Sequence, residues 1–285
     1  MEDGHTVSAN IRHLKRLKLY DSEMPFQMFF EKPPDDLDQR PDNLAFEEVE
    51  HIIHDIRPHL DSYTLDDNGF CVRRHDTVMN GQSFSDRKLV EEVYLAEVEA
   101  LLRQEDSTIS RIFFFDWRLR SGEMSTKVNE GRIDLNDLTL WLHPARAAHV
   151  GMSRSSTVLA DTPIDTSILD QSPAAVLHRI QLHLSDDADF LLQGRVRIIN
   201  VWRPLTDVVE DWPLAVCDAQ TLADKDLITC AQVRKKFTGE TLYGFHNPSQ
   251  RWNYLYHQRP DETFLLKMFD SSEDVLATSK FNVWD

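Results

Sequence analysis

The chain is poor in cysteine, short of positive charge and without a long apolar run, and each scarcity closes a class of function. Only Cys71, Cys217 and Cys230 occur in 285 residues, with no Cys-x-x-Cys spacing, so neither a disulfide framework nor a zinc ribbon is indicated. Lys and Arg number 31 against 48 Asp and Glu, a net charge of −17 that repels phosphate backbones and anionic lipid heads. Nucleic acid is therefore not an expected partner. No stretch approaches the roughly 20 apolar residues that a membrane span needs. The opening Met1-Glu-Asp-Gly-His5 lacks the basic-then-apolar pattern of a secretory leader, so a soluble, cytoplasmic protein is expected. What is present is ordinary globular composition, 41% hydrophobic and 28% charged. A chain of this length buries about three quarters of its unfolded surface, enough for one large domain.

Residues 1–43 read as an N-terminal arm, because Pro and Asp crowd the stretch from Glu31 to Pro41. The basic run Ile11–Leu19 reads as a short solvated helix face. Residues 44–285 read as a single domain. Apolar positions recur from Leu44 to His59, and a turn signal closes at Gly69. Residues 85–104 place Leu89, Val93, Leu95, Val98 and Leu102 near helical spacing behind a Ser/Asp cap. The β-rich run Arg111–Trp117 predicts a strand. Residues 121–170 have no sustained periodicity and predict an irregular loop or lid. Ser172 and Pro173 mark a helix start, which predicts a helix over 172–193. After Gly194 come five strand candidates, 195–203, 214–217, 241–245, 252–257 and 263–269, with turn residues between them. Together these predict a mostly β fold, an antiparallel barrel or sandwich with flanking helices. No internal repeat is present.

Several residues offer chemistry. His59-Leu-Asp61 has the His-x-Asp spacing of an iron site, but such triplets arise by chance and the reading here is structural. His51/His54 and His178/His183 are apparent pairs, the first of which fits a solvated helix surface, and neither supports a metal. On the strand from Arg195, alternation puts Val196, Ile198, Asn200 and Trp202 on one face and Arg195, Arg197, Ile199, Val201 and Arg203 on the other. A polar residue on a mostly buried face must find a partner, so Asn200 and Arg203 are either satisfied within the fold or aimed at a ligand.

The blocks Asn200-Val-Trp-Arg-Pro204, Arg251-Trp-Asn-Tyr254 and Lys267-Met-Phe-Asp-Ser271, with Ser62–Phe70 and the Tyr94–Leu102 helix, carry a resemblance. They resemble the fungal hydroxylase/desaturase family related to the cephem methoxylase accessory protein, over about residues 45–270. The resemblance implies a double-stranded β-helix, a jelly-roll or cupin-like core, built for Fe(II) and 2-oxoglutarate. It also implies iron ligands in a His-x-Asp pair and a later His, and an Arg near the C-terminus for 2-oxoglutarate. At these positions the chain departs from the pattern. His149 matches the first ligand, but Gly151 stands at the acid position. The alternative register restores Asp170 and puts Ile168 in place of the His. The segment Ala277–Asp285 supplies neither the second His nor the Arg.

By subtraction, the resemblance implies a pocket without the family's metal and cofactor. That pocket is similar to those of the metal-free hetero-Diels–Alderases that dehydrate a hydroxymethyl tropolone to an o-quinone methide and join it to a sesquiterpene. Orientation and a placed hydrogen bond can lower such a barrier without metal. The expected polarising residues are Arg203 and Lys267, the expected acid or base His149 or His257, and the expected walls Asn200, Trp202, Trp252 and Tyr254. The expected partners are hydrophobic small molecules, with a homodimer as a possible assembly. Two rivals remain open: an Fe(II)/2-oxoglutarate hydroxylase/desaturase whose ligands pair His149 with His246 or His257, and a non-catalytic metabolite-binding protein.

Overall fold

The computed structural model describes residues 5–29, 40–121, 141–142, 147–150, 180–181, 184–233, 238–272, 274–275 and 282–284. Two sheets hold the core. The larger has nine strands in the order β1 (Thr6–Leu14), β3 (Phe46–Asp55), β12 (Trp252–Tyr254), β9 (Leu214–Cys217), β14 (Asn282–Trp284), β7 (His149–Val150), β11 (Thr238–Gly244), β10 (Leu227–Val233) and β2 (Phe26–Met28). The smaller has β4 (Phe70–Arg74), β13 (Glu262–Asp270) and β8 (Arg197–Trp202), all antiparallel, and β5 (Leu119–Arg120) pairs with β6 (Trp141–Leu142) separately.

The larger sheet curls back on itself. Bridges join Arg12 to Ala147 and Leu14 to Phe245 in parallel, and the Ala148 N–H donates to the Arg12 carbonyl at 2.8 Å. The first strand is thereby drawn beside β7 and the end of β11. Its concave face, with Ile11, Ile53, Cys217 and Trp252, shares one core with Phe70, Phe264 and Met268 of the smaller sheet. Mostly β, with a curled sheet facing a smaller one and few helices, this is the jelly-roll architecture expected.

The principal helix, α1 (Leu95–Glu105), follows a π turn over Val90–Tyr94 and a first turn that Asp86 caps through the Lys88 and Leu89 N–H groups. Val98, Leu101 and Leu102 lie on one face at helical spacing and pack on Cys71 and Leu265 of the smaller sheet.

Two expectations are corrected. Residues 111–117 form no strand: Ile112 and Phe114 pack toward α1 and Phe115 toward the main core, a strand-like alternation with no ladder partner among the described residues. The stretch around His51 and His54 is not a helix surface but β3, nine of whose residues pair with β1 in continuous register up to Thr6↔His54. β-branched Val49, Ile52 and Ile53 suit a pleated strand, and the inward set Val49, His51 and Ile53 alternates with outward Glu48, Glu50, Ile52 and His54. The arm also has more structure than its composition suggested, since Thr6–Leu14 is a strand of the large sheet. Within 172–193 the described helix is the short α2 (Ala188–Leu191), with 180–181 also helical. Ser172, Pro173 and His178, and most of the expected 121–170 loop, lie outside the described residues.

Candidate functional site: a cluster of three histidines

Alternation on β1 and β3 decides what faces the core. Val7, Ala9, Ile11 and His13 turn inward opposite Ile53, His51, Val49 and Glu47. His13 aligns with Glu47 and His51 with Ala9, so the two histidines share a face yet stand four ladder positions apart. The concave curl of the sheet brings their rings together, with Nε2 to Nε2 at 2.9 Å and centroids 5.0 Å apart. His246 joins them from the residue after Phe245, where β11 crosses β1. Its ring centre lies 5.4 Å from that of His13 and 5.2 Å from that of His51. One ring nitrogen from each lies within 4.8 Å of the other two, the spacing of a group able to hold a metal ion. Trp252 stands edge-on to His13 and His51 at 6.0 and 5.9 Å.

Burial and mutual repulsion keep His13 and His51 neutral. His13 is fully buried, and desolvation, then the like charges that His51 and His246 would carry, lower its pKa to about 3. The same causes, burial first and His246 second, lower His51 to about 4. Neutral imidazoles can accept a proton, donate one, or bind a metal through a lone pair. The Nδ1 atoms of His13 and His246 have no hydrogen-bond partner among the described residues, uncommon for buried polar atoms.

The third histidine is held from behind. Asp226, fully buried, accepts from Asn247 Nδ2 at 2.8 Å and from Arg16 Nη2 at 2.9 Å, and its carbonyl accepts the Phe245 N–H at 2.8 Å. Arg16 also lies 4.3 Å over the Phe245 ring. Asp226 thus ties both neighbours of His246, Asn247 through its carboxylate and Phe245 through its backbone carbonyl, to Arg16 just beyond His13.

Of the residues singled out in the sequence, His246, named there as an alternative iron ligand, belongs to this cluster and Trp252 touches it, while the others scatter around it. Lys267 is buried and bonded to Asp270 Oδ2 at 2.6 Å and Asp66 Oδ1 at 2.9 Å, while Arg195 grips the same two acids. Burial alone would raise the Asp270 carboxyl, but hydrogen bonds from Arg195 and Lys267 hold it below its ordinary value. Arg203 uses Nη2 on the His75 ring and carbonyl and on Thr263, and its guanidinium lies 5.4 Å from the Tyr94 ring. Asn200 and Trp202 sit on β8 opposite Leu266 and Phe264. Tyr254 meets His5 Nδ1 at 2.6 Å, and burial, aided by Asp55 and Tyr256, pushes its phenol up to about 12. His257 is exposed, has a left-handed φ of 46° and stacks on Tyr256.

His149 stands with Tyr243, whose ring also meets Phe46, a residue on the face of β3 opposite His51. Its Nδ1 donates to the Ala147 carbonyl at 2.6 Å. Gly151, Ile168 and Asp170 lie outside the described residues. His59 and Asp61 are exposed on a 3-10 helix rather than paired on a strand, in keeping with the structural reading. His13 and His51 were not singled out as ligands. Their signal was present as a histidine inside an inward period-2 set, Ala9-x-Ile11-x-His13 and Val49-x-His51-x-Ile53.

Comparison with known proteins gives this geometry a context. Residues 14–282 match the family model described as Oxidoreductase/YMDC permease-like domain. The chain is 46% identical over 120 residues to the aspirochlorine biosynthesis protein N of Aspergillus oryzae, a match covering 41% of this chain and 50% of that protein. It is 29% identical over 223 residues to the Fe(II)/2-oxoglutarate-dependent dioxygenase nvfI of Aspergillus novofumigatus, covering 76% of this chain and 69% of that protein. Among solved structures it is similar to the iron and alpha-ketoglutarate-dependent endoperoxidase NvfI, at 25% identity and a TM-score of 0.74 over 98% of this chain and 89% of that one.

Proposed function

Starting from the fact that the chain belongs to the family described as Oxidoreductase/YMDC permease-like domain, we propose that it is an oxidoreductase that tailors a hydrophobic metabolite in fungal secondary metabolism. The relatives named above support the setting, since one acts in aspirochlorine biosynthesis and another is a dioxygenase. The observation that carries the reading is the set of three imidazoles on the inner face of the curled sheet, His13 and His51 buried and His246 half-buried, with ring nitrogens left open beside an apolar core. Buried polar groups are normally satisfied, and open ones mark places where a ligand completes them.

The family's iron and 2-oxoglutarate fare differently against the residues present. Iron(II) would fit at His13, His51 and His246, whose nitrogen donors suit it, and once bound would supply one-electron and oxygen chemistry. The 2-oxoglutarate needs a cation beside the metal. Lys267 is committed to Asp66 and Asp270, and Arg203, just after β8, holds His75 and Thr263 through Nη2 while its Nε and Nη1 have no partner among the described residues. No step is assigned to the 2-oxoglutarate. The chain's own residues exclude water, through Ile11, Ile53 and Trp252, and hold neutral nitrogen at the inner face, where His13 and His51 can share or pass a proton.

Expression of the chain in a fungal host that makes candidate polyketides and terpenes tests the reading. Mass spectrometry should show a product that has gained one oxygen or lost two hydrogens, and this product should vanish with His51→Ala. Absence of any such product across the panel would remove the oxidoreductase reading.

A second reading, a metal-free hetero-Diels–Alderase that dehydrates a tropolone alcohol and joins it to a sesquiterpene, is favoured by one contact. His13 and His51 already form an imidazole pair at 2.9 Å, an acid and a base that need no metal. Cycloadduct formation from a hydroxymethyl tropolone and humulene in the presence of a strong chelator would select this reading over the first.

A further inference from the structure

We propose that His13, His51 and His246 are the protein ligands of one divalent transition-metal ion. This all-histidine centre stands apart from His149, where the family resemblance expects the first iron ligand. The proposal deepens the oxidoreductase reading by naming the metal-holding residues.

Geometry is the first support. Two nitrogens bound to one ion at about 2.1 Å and at right angles to each other lie roughly 3.0 Å apart. The Nε2 atoms of His13 and His51 are 2.9 Å apart, and a His246 nitrogen falls in the same group. The three ring nitrogens thus already share one small volume. An ion placed there would replace a single imidazole-to-imidazole hydrogen bond with three metal bonds.

Position is the second. Three chain segments, widely separated in sequence, bring the ligands together: β1, β3 and the second residue after β11. The third ligand is also braced, because buried Asp226 bonds Asn247 and Arg16 and accepts the Phe245 N–H. Ligand sites gain affinity when surrounding groups fix the ligand's orientation. The cluster is therefore not a casual meeting of surface rings: His13 is fully buried and His51 is 8% exposed.

Donor chemistry selects the ion. Three imidazole nitrogens disfavour magnesium and calcium, which take oxygen, and suit iron, cobalt, nickel, copper or zinc. Three protein ligands also leave coordination positions for water or substrate, the pattern of reactive rather than structural centres.

The test uses the tag-free full chain, stripped with a chelator and titrated with Co(II). Visible absorption reports the coordination and calorimetry the stoichiometry. One equivalent per chain is expected, with a ligand-field spectrum of nitrogen donors. His51→Ala and His246→Gln should each weaken binding at least a hundredfold, and His149→Ala should leave it unchanged. His246→Gln guards against misfolding, since His246 is only half-buried and glutamine keeps a polar group there. Circular dichroism and the melting temperature of the apo forms confirm that the variants fold. No binding by the wild type would overturn the proposal, as would binding that survives both triad variants or is lost with His149→Ala. Metal binding without turnover on any metabolite would leave the centre standing and count against the oxidoreductase reading alone.

Discussion

Two buried polar regions of this protein are put together in opposite ways. On the smaller sheet, Lys267 and Arg195 meet Asp66 and Asp270, so two cations face two carboxylates and each charge has an opposite within bonding distance. On the larger sheet, three imidazoles of like character face one another, and two of their nitrogens bond nothing among the described residues. A saturated network holds a fold in register, whereas an unsaturated cluster costs stability unless something fills it. The difference separates scaffold from site more clearly than residue type does, since a buried lysine and a buried histidine are equally suggestive in a sequence.

The largest expected effect breaks the saturated side. Asp270→Ala leaves Lys267 buried with only half-exposed Asp66 beside it, and should cost about 3–5 kcal/mol in denaturant unfolding. Co(II) stoichiometry should be unchanged. Loss of metal binding in a folded Asp270→Ala protein would show that the two regions are not independent.

Acidification acts on the unsaturated side. His13 and His51 have folded pKa values near 3 and 4, below the 6.5 of the unfolded chain, so between these limits the unfolded state binds more protons. Apo-protein stability should therefore be full above about pH 6.5 and fall, by a few kcal/mol in all, as the pH drops toward 4. The double variant His13→Leu/His51→Leu should show a flatter profile in pH-dependent melts. An equally steep profile would place the acid sensitivity elsewhere.

A smaller effect is expected at the brace. Asp226→Asn loosens the hold on Asn247, the residue after His246, and should weaken Co(II) binding about tenfold, with a shifted ligand-field spectrum. Wild-type affinity in this variant would show that the Asp226 carboxylate does not position His246. The smallest effect is at His257, which is exposed and stacked on Tyr256. His257→Ala should change stability by no more than about 0.5 kcal/mol and leave turnover intact. A large loss of turnover would return it to the candidate site.

Much of the fold was legible from period-2 runs. The strands at 197–202, 214–217 and 262–270 and the helix over Leu95–Glu105 follow their local patterns closely. β1 was hidden because its outward positions are polar and its inner set ends in a histidine, so the alternation looked like a basic arm. The run 111–117 was misread because strand propensity does not supply a pairing partner. The site was harder still. His13 and His51 are 38 residues apart in sequence and four ladder positions apart in register, and only the curl of the sheet, a long-range property, brings their rings together. Lys267 drew attention as a lone cation, but its neutralising partner Asp66 lies 201 residues away and no local pattern pairs them.

Anomalous diffraction from crystals soaked with Co(II) tests the histidine centre most directly. A single strong peak should appear about 2.1 Å from ring nitrogens of His13, His51 and His246. A cell with no peak between those rings, or with its peak beside His149 instead, would contradict it.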